Sequence, residues 1–197
     1  MLNAISRVLQ EVFPLFFYWR NVKKLRRLIA AEDLLQQKFS YAAYVSLSSE
    51  ILLERLEEER TRAAALDDKT FKMTLSLTVG LTVVSTVYAL LLATISSSWI
   101  ARVLGFSVWL ALLYIFSAGF LALGALRTQP SFGYGTEMRK LAIARNKTLY
   151  ADALVRQELS NDLRHLRNEA SYQLLRNGLV LLFLSLTVFA AIKTFFR

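Results

Sequence analysis

Two uncharged runs, residues 73–95 and 103–126, stand seven residues apart in a chain of 197 residues. As a helix the first run rises roughly 34 Å, more than the ~30 Å of a bilayer's hydrocarbon core. The second run is long enough to return. A connection of seven residues leaves no room for a domain between them, so residues 73–126 are expected to form a transmembrane hairpin turning at Ser96-Ser97-Ser98-Trp99.

A third apolar stretch, residues 179–192, is followed by Lys193 and then Phe195 and Phe196. It reaches spanning length if Lys193 extends its ammonium to the far interface, and it reads otherwise as a re-entrant or interfacial helix. The expected fold is therefore an all-α membrane protein with three transmembrane helices, a tight hairpin plus a C-terminal helix, carrying cytoplasmic helical extensions. Its divisions are residues 1–30, 31–72, 73–126, 127–177 and 178–197.

Charge gives the orientation. Twelve Lys and Arg residues lie in 1–72 and nine in 127–177, against Arg102 in the hairpin turn and Lys193 and Arg197 at the C-terminus. Positive charge is retained in the cytoplasm, which places the N-terminus and central loop inside and the tail outside a cytoplasmic membrane. The formal net charge of +9 would also suit nucleic acid. Beside membrane spans, anionic lipid is the preferred partner and no nucleic acid is expected.

With no Cys and one His, the chain has neither a thiolate nucleophile nor a Cys/His metal site. No Gly-rich phosphate loop or triad is visible, and no cofactor or enzymatic activity is expected. His165 stands beside charged neighbours and reads as a solvated side chain. No run carries a charge at its middle, which argues against a proton-coupled transporter.

The cytoplasmic parts read as helices. The first runs from about Glu32 to Lys69, has Glu58 and Arg62 at the favourable spacing of four, and meets no Pro or Gly between Tyr41 and Val79. It is expected to continue unbroken into the first span. The second opens after Pro130 and the Gly133-Tyr134-Gly135 turn, with Thr136 as N-cap and Glu137 at the positive end of the dipole. Leu159, Leu163, Leu166 and Ala170 form a narrow apolar seam that needs a partner, either the first helix or another copy.

At the start, Leu2, Ile5, Val8, Leu9, Val12 and Phe13 share a face, and the aromatic run Phe16-Phe17-Tyr18-Trp19 precedes Arg20, Lys23, Lys24, Arg26 and Arg27. That order fits a helix in the headgroup layer whose cations meet lipid phosphates. The basic cluster follows the apolar stretch, so no cleavable leader is expected.

Four further sets carry candidate function. Thr74, Thr78, Thr82 and Ser85 fall on one side of the first span and either line a polar path or bond their own backbone. Ser107, Ala111, Ala118, Ala122 and Ala125 in the second span, and Ser76 with Gly80 in the first, allow close packing within the hairpin or between copies. Asp67, Asp68, Lys69 and Lys72 stand at the mouth of the first span, as a gate or as an interface marker. Arg139, Lys140, Arg145 and Lys147 are the candidate site for an anionic ligand or lipid.

A charged helix passing through Asp68-Lys69 into a first span, a short hairpin and a basic helix leading to a last apolar helix resemble the layout of the Pycsar transmembrane effectors. The SLATT family is a less close likeness. The resemblance covers about residues 40–197. It implies a homo-oligomeric membrane effector of antiphage defence, triggered by a cyclic nucleotide, that makes the membrane leaky. The alternative is a membrane anchor or adaptor whose cytoplasmic helices dock a soluble protein.

Overall fold

In the computed structural model, residues 10–30, 39–94, 99–126 and 147–195 are described, and they form helices with no strand among them. These are α1 (Pro14–Ala30), α2 (Phe39–Ser46), α3 (Ser49–Thr94), α4 (Trp99–Leu126) and α5 (Lys147–Phe195). Three of them, α3, α4 and α5, are long and apolar enough to cross a membrane. The fold is all-α, of the multi-pass membrane class.

Two compact units divide the chain. Unit 1 comprises Met1–Phe16, Thr70–Ala125 and Arg167–Arg197; unit 2 comprises Phe17–Lys69 and Leu126–Leu166. The division between the units falls between Phe16 and Phe17, inside α1. Helices α3 and α5 contribute to both units.

One periodicity organises the long helices. Along α3, Leu52, Leu56, Glu59, Ala63, Leu66, Thr70, Met73, Leu77, Gly80 and Val84 alternate steps of four and three, and each is buried or half-buried. Along α5 the same rule selects Tyr150, Leu154, Gln157, Asn161, Arg164, Asn168, Ser171, Leu175, Gly178, Leu182 and Ser185. A 3.5-residue repeat keeps one seam facing its partner in left-handed packing.

In unit 2, α3 and α5 run parallel. Leu52 and Leu56 pack with Tyr150 and Leu154, and further along Asn161 Nδ2 donates to the Glu59 carbonyl and carboxylate, both at 2.7 Å. The apolar seam expected in α5 is occupied within the chain. Leu25 of α1 and Tyr41 and Tyr44 of α2 cover Val155 and Leu159, while Leu163 and Ala170 are buried and Leu166 is half-buried.

In unit 1, α4 and α5 run antiparallel, as four contacts in opposite numerical order show. Arg167 donates to the Gly124 carbonyl, Ser171 Oγ to the Ala118 carbonyl at 2.6 Å, Gly178 faces Ala111 and Ile115, and Ser185 Oγ donates to Ser107 Oγ at 2.8 Å. Ala111, Ala118, Ala122 and Ala125 are all buried. The small-residue face of the second span is therefore packed within the chain. A Cβ on Gly178 would sit 2.6 Å from Ile115 Cγ1 and 3.0 Å from the Ala111 carbonyl oxygen, so only glycine permits this approach. Arg167 also serves α4 electrostatically, because a cation at a helix C-terminus meets the negative end of the dipole and an orphan carbonyl.

Several expectations are corrected. The helix expected over 32–69 is broken at Leu47–Ser48: α2 ends at Ser46, and α3 begins where Ser48 Oγ accepts from the Ile51 N–H at 3.3 Å as an N-cap. From Ser49 onward α3 does continue unbroken into the first span, as expected. Arg102 lies inside α4, which begins at Trp99, and the connection is shorter than seven residues because Trp99-Ile100-Ala101 are all helix-compatible. Helix α5 passes through Asn177-Gly178 without interruption, so no boundary exists between the central helix and the third span. Glu58 pairs with Arg55 at 3.0 Å, and Arg62 turns instead to Glu59 at 3.3 Å and across to Asp162 at 3.2 Å. Leu2, Ile5, Val8 and Leu9, Glu32, and the turn and cap at Pro130, Gly133, Thr136 and Glu137 lie outside the described residues.

Candidate functional site

The hydroxyl face of α3 is present as an exposed stripe. Thr78, Thr82 and Ser85 are exposed and Thr74 is half-buried. Thr74, Thr78, Thr82 and Thr86 each donate to the carbonyl four residues earlier, at 2.9, 3.1, 3.1 and 3.0 Å, and Ser76 does the same to Lys72 at 3.0 Å. The hydroxyl protons of Thr74, Ser76, Thr78, Thr82 and Thr86 are thus satisfied inside their own helix, as a lone helix in hydrocarbon requires. The oxygens keep lone pairs directed outward.

Helix α4 turns a different surface outward. Val103, Phe106, Trp109, Leu113, Phe116 and Phe120 are exposed, and Phe106 stacks on Trp109 with ring centroids 5.9 Å apart. Bulky aromatics suit acyl chains. On α3, Gly80 beside the exposed Ser76 has nothing within 4 Å of a Cβ position, so packing within the chain does not require that glycine.

Asp67, Asp68, Lys69 and Lys72 are all exposed, and Asp67 accepts from Arg164 at 3.4 Å within unit 2. Within unit 1, Thr70 Oγ1 donates to Asn168 Oδ1 at 2.8 Å, and both residues are buried. Buried polar pairs of this kind fix register, because sliding either helix would leave them without partners. The run of Gln157, Asn161, Arg164 and Asn168 was missed in the sequence. Their 4-3-4 spacing lies in the sequence, but amide and guanidinium side chains give no hydropathy signal for a buried seam.

In unit 2 the Tyr44 hydroxyl donates to the Glu158 carboxylate. Burial, reinforced by that acceptor and its charge, pushes the Tyr44 phenol up to about 12. Burial also raises the Glu158 carboxyl, with Glu59 and Asp162 adding like charge against the opposing Tyr44 hydrogen bond. His165 is exposed.

Arg20, Lys23, Lys24, Arg26 and Arg27 are all exposed on α1, together with Phe16 and Trp19. Lys147 is exposed at the start of α5, while Arg139, Lys140 and Arg145 lie outside the described residues.

A contact set the sequence did not suggest joins residues 11–16 to α4 and α5. The chain leaves helical geometry at Phe13, and Pro14 has no N–H to offer the preceding turn. The freed carbonyls take side-chain donors: Asn177 Nδ2 reaches the Glu11 carbonyl at 2.5 Å and Tyr114 Oη the Val12 carbonyl at 2.8 Å. Arg176 forms an ion pair with the Glu11 carboxylate. Gly178 contacts Tyr114, near the middle of the uncharged run 103–126, so Arg176 and its partner are carried into the level of the apolar run.

No protein family, curated protein or solved structure matches this chain.

Proposed function

We propose that the chain is a non-enzymatic effector that permeabilises the cytoplasmic membrane on a signal, in defence against phage. The observation that carries the reading is the outer face of α3, where Thr78, Thr82 and Ser85 stand exposed on a helix that also enters unit 2. Within unit 1, Leu77, Val84, Val108, Ile115 and Leu182 fill the space between the helices. A polar path is therefore assigned to the junction between copies, so activity requires a homo-oligomer. The layout shared with the Pycsar transmembrane effectors supports a cyclic nucleotide as trigger, acting on the helical soluble unit at cationic side chains such as Lys147. The charge distribution supports a cytoplasmic N-terminus, with the α1 cations against anionic headgroups.

A second reading has an observation of its own. Because every Thr hydroxyl in the stripe has an acceptor in its own helix, the face needs no partner, as befits an anchor whose soluble helices dock another protein. The double variant Thr78→Leu, Thr82→Leu separates the two. The effector reading expects loss of liposome leakage with insertion and helical content unchanged; unaltered leakage removes the stripe from the mechanism.

A further inference from the structure

We infer that the cleft between residues 12–16 and α4 is a binding site for one hydrocarbon chain of a membrane lipid. This site does not depend on the permeabilising reading. It rests on the wall, the lining and the level of a cavity in unit 1.

The wall is built. Residues 11–16 are tied by the Arg176–Glu11 ion pair and by the bonds from Asn177 and Tyr114 to the Glu11 and Val12 carbonyls. In an apolar layer such contacts are costly to release, because freed carbonyls and a lone guanidinium find no water there. Pro14 is buried and Leu15 packs on the helical core, so this segment is a fixed surface.

The lining is apolar. Val12, Phe13 and Phe16 face Leu110, Leu113 and Ser117 around a cavity of about 360 Å³. That volume lies in the range of small-molecule sites, roughly 300–1,000 Å³. The neighbouring Tyr114 hydroxyl is already bonded to Val12. A polar headgroup would find few partners inside.

The level decides the occupant. Leu110, Leu113 and Ser117 straddle the middle of the uncharged run 103–126, where the surrounding medium is hydrocarbon. A cavity with so few polar partners holds water poorly, and an acyl chain is the apolar ligand supplied at that depth. The exposed Phe116 and Phe120, in edge-to-face contact on the outer surface of α4, provide an internal reference for ordinary boundary lipid.

The test uses the full chain in phosphatidylcholine vesicles containing a phospholipid with a photoactivatable diazirine on its acyl chain, with adducts mapped by mass spectrometry. Expected are adducts at residues 12–16, Leu110 and Leu113 several-fold above those at Phe116 and Phe120. Filling the cleft with Ser117→Trp should bring them down to the Phe116 level, while Ser117→Ala should leave them unchanged. Helical content and monodispersity accompany each variant, and Leu110→Trp replaces Ser117→Trp if the latter does not fold. Labelling that is even between cleft and outer face, or cross-links showing a second protein chain seated there, would overturn the site.

Discussion

Helix α5 is paired in two chemically different ways along its length, and the contrast shows what each half is built to resist. In unit 2 its seam is Tyr150 and Leu154 followed by amide and guanidinium groups, with Asn161 and Arg164 bonded to Glu59 and Asp67 of α3. In unit 1 the seam is small, with Ser171, Gly178 and Ser185 seven residues apart against Ala118, Ala111 and Ser107 of α4. Water supplies a hydrophobic force between helices and competes for their polar groups. Lipid does neither, so the half of α5 within the apolar run depends on close backbone approach and the half in unit 2 on apolar burial with polar registration.

The largest effect should come from inserting bulk where the backbones approach most closely. Gly178→Leu drives a side chain into Ile115 and the Ala111 carbonyl and should cost about 3 kcal/mol, whereas Gly80→Leu, with open space around it, should be near neutral in the single chain. Steric-trap or detergent unfolding of both variants checks this, and equal losses would break the comparison. Next, Leu154→Ala in unit 2 removes a fully buried side chain against Leu52 and Leu56 and should cost about 2–4 kcal/mol by chemical denaturation.

Asn161→Ala should cost about 1–3 kcal/mol, because the Glu59 carbonyl loses its inter-helix donor and the carboxylate is left with Arg62 alone. Glu59→Gln, which keeps the backbone carbonyl and a neutral side-chain oxygen as acceptors for Asn161, should cost less than Asn161→Ala. A stability change confined to the noise would mean that the polar seam does not register the helices.

Tyr44→Phe should be the mildest, about 1 kcal/mol, since the Glu158 bond is only partly buried. Its signature is the pH dependence. A phenol whose folded value is raised from 10.0 to about 12 contributes stability that is complete below pH 10 and lost as pH rises through about 12. Tyr44→Phe should flatten the stability profile in that alkaline window. For Glu158 the raised carboxyl contributes fully below its unfolded value and loses that contribution as pH rises through the folded one.

The two uncharged runs and the passage of α3 through Lys69 and Lys72 were legible because charge and helix breakers are local properties of a sequence. The break at Ser48 was less so. Ser46-Leu47-Ser48-Ser49 contains no Gly or Pro, and the only sign was a cluster of hydroxyls able to cap a new helix. The seven-residue series Ser171, Gly178 and Ser185 begins in a charged segment and ends in the third apolar run, so hydropathy does not mark it as one seam. The ties from Asn177 and Arg176 to Glu11 were illegible, for they join residues more than 160 apart in sequence and follow from the α4–α5 register. For the hydroxyl stripe the spacing was right, and the structure assigns each Thr proton to the backbone of its own helix.

The most direct test of the proposed role is ion or dye flux through liposomes holding the purified full chain, with protease-verified insertion, in the presence and absence of cyclic nucleotides. The account predicts leakage that rises on addition of a nucleotide and disappears in the Thr78→Leu, Thr82→Leu variant. Inserted, correctly oriented protein that leaves the vesicles tight with every cyclic nucleotide would contradict it and leave the anchor reading in its place.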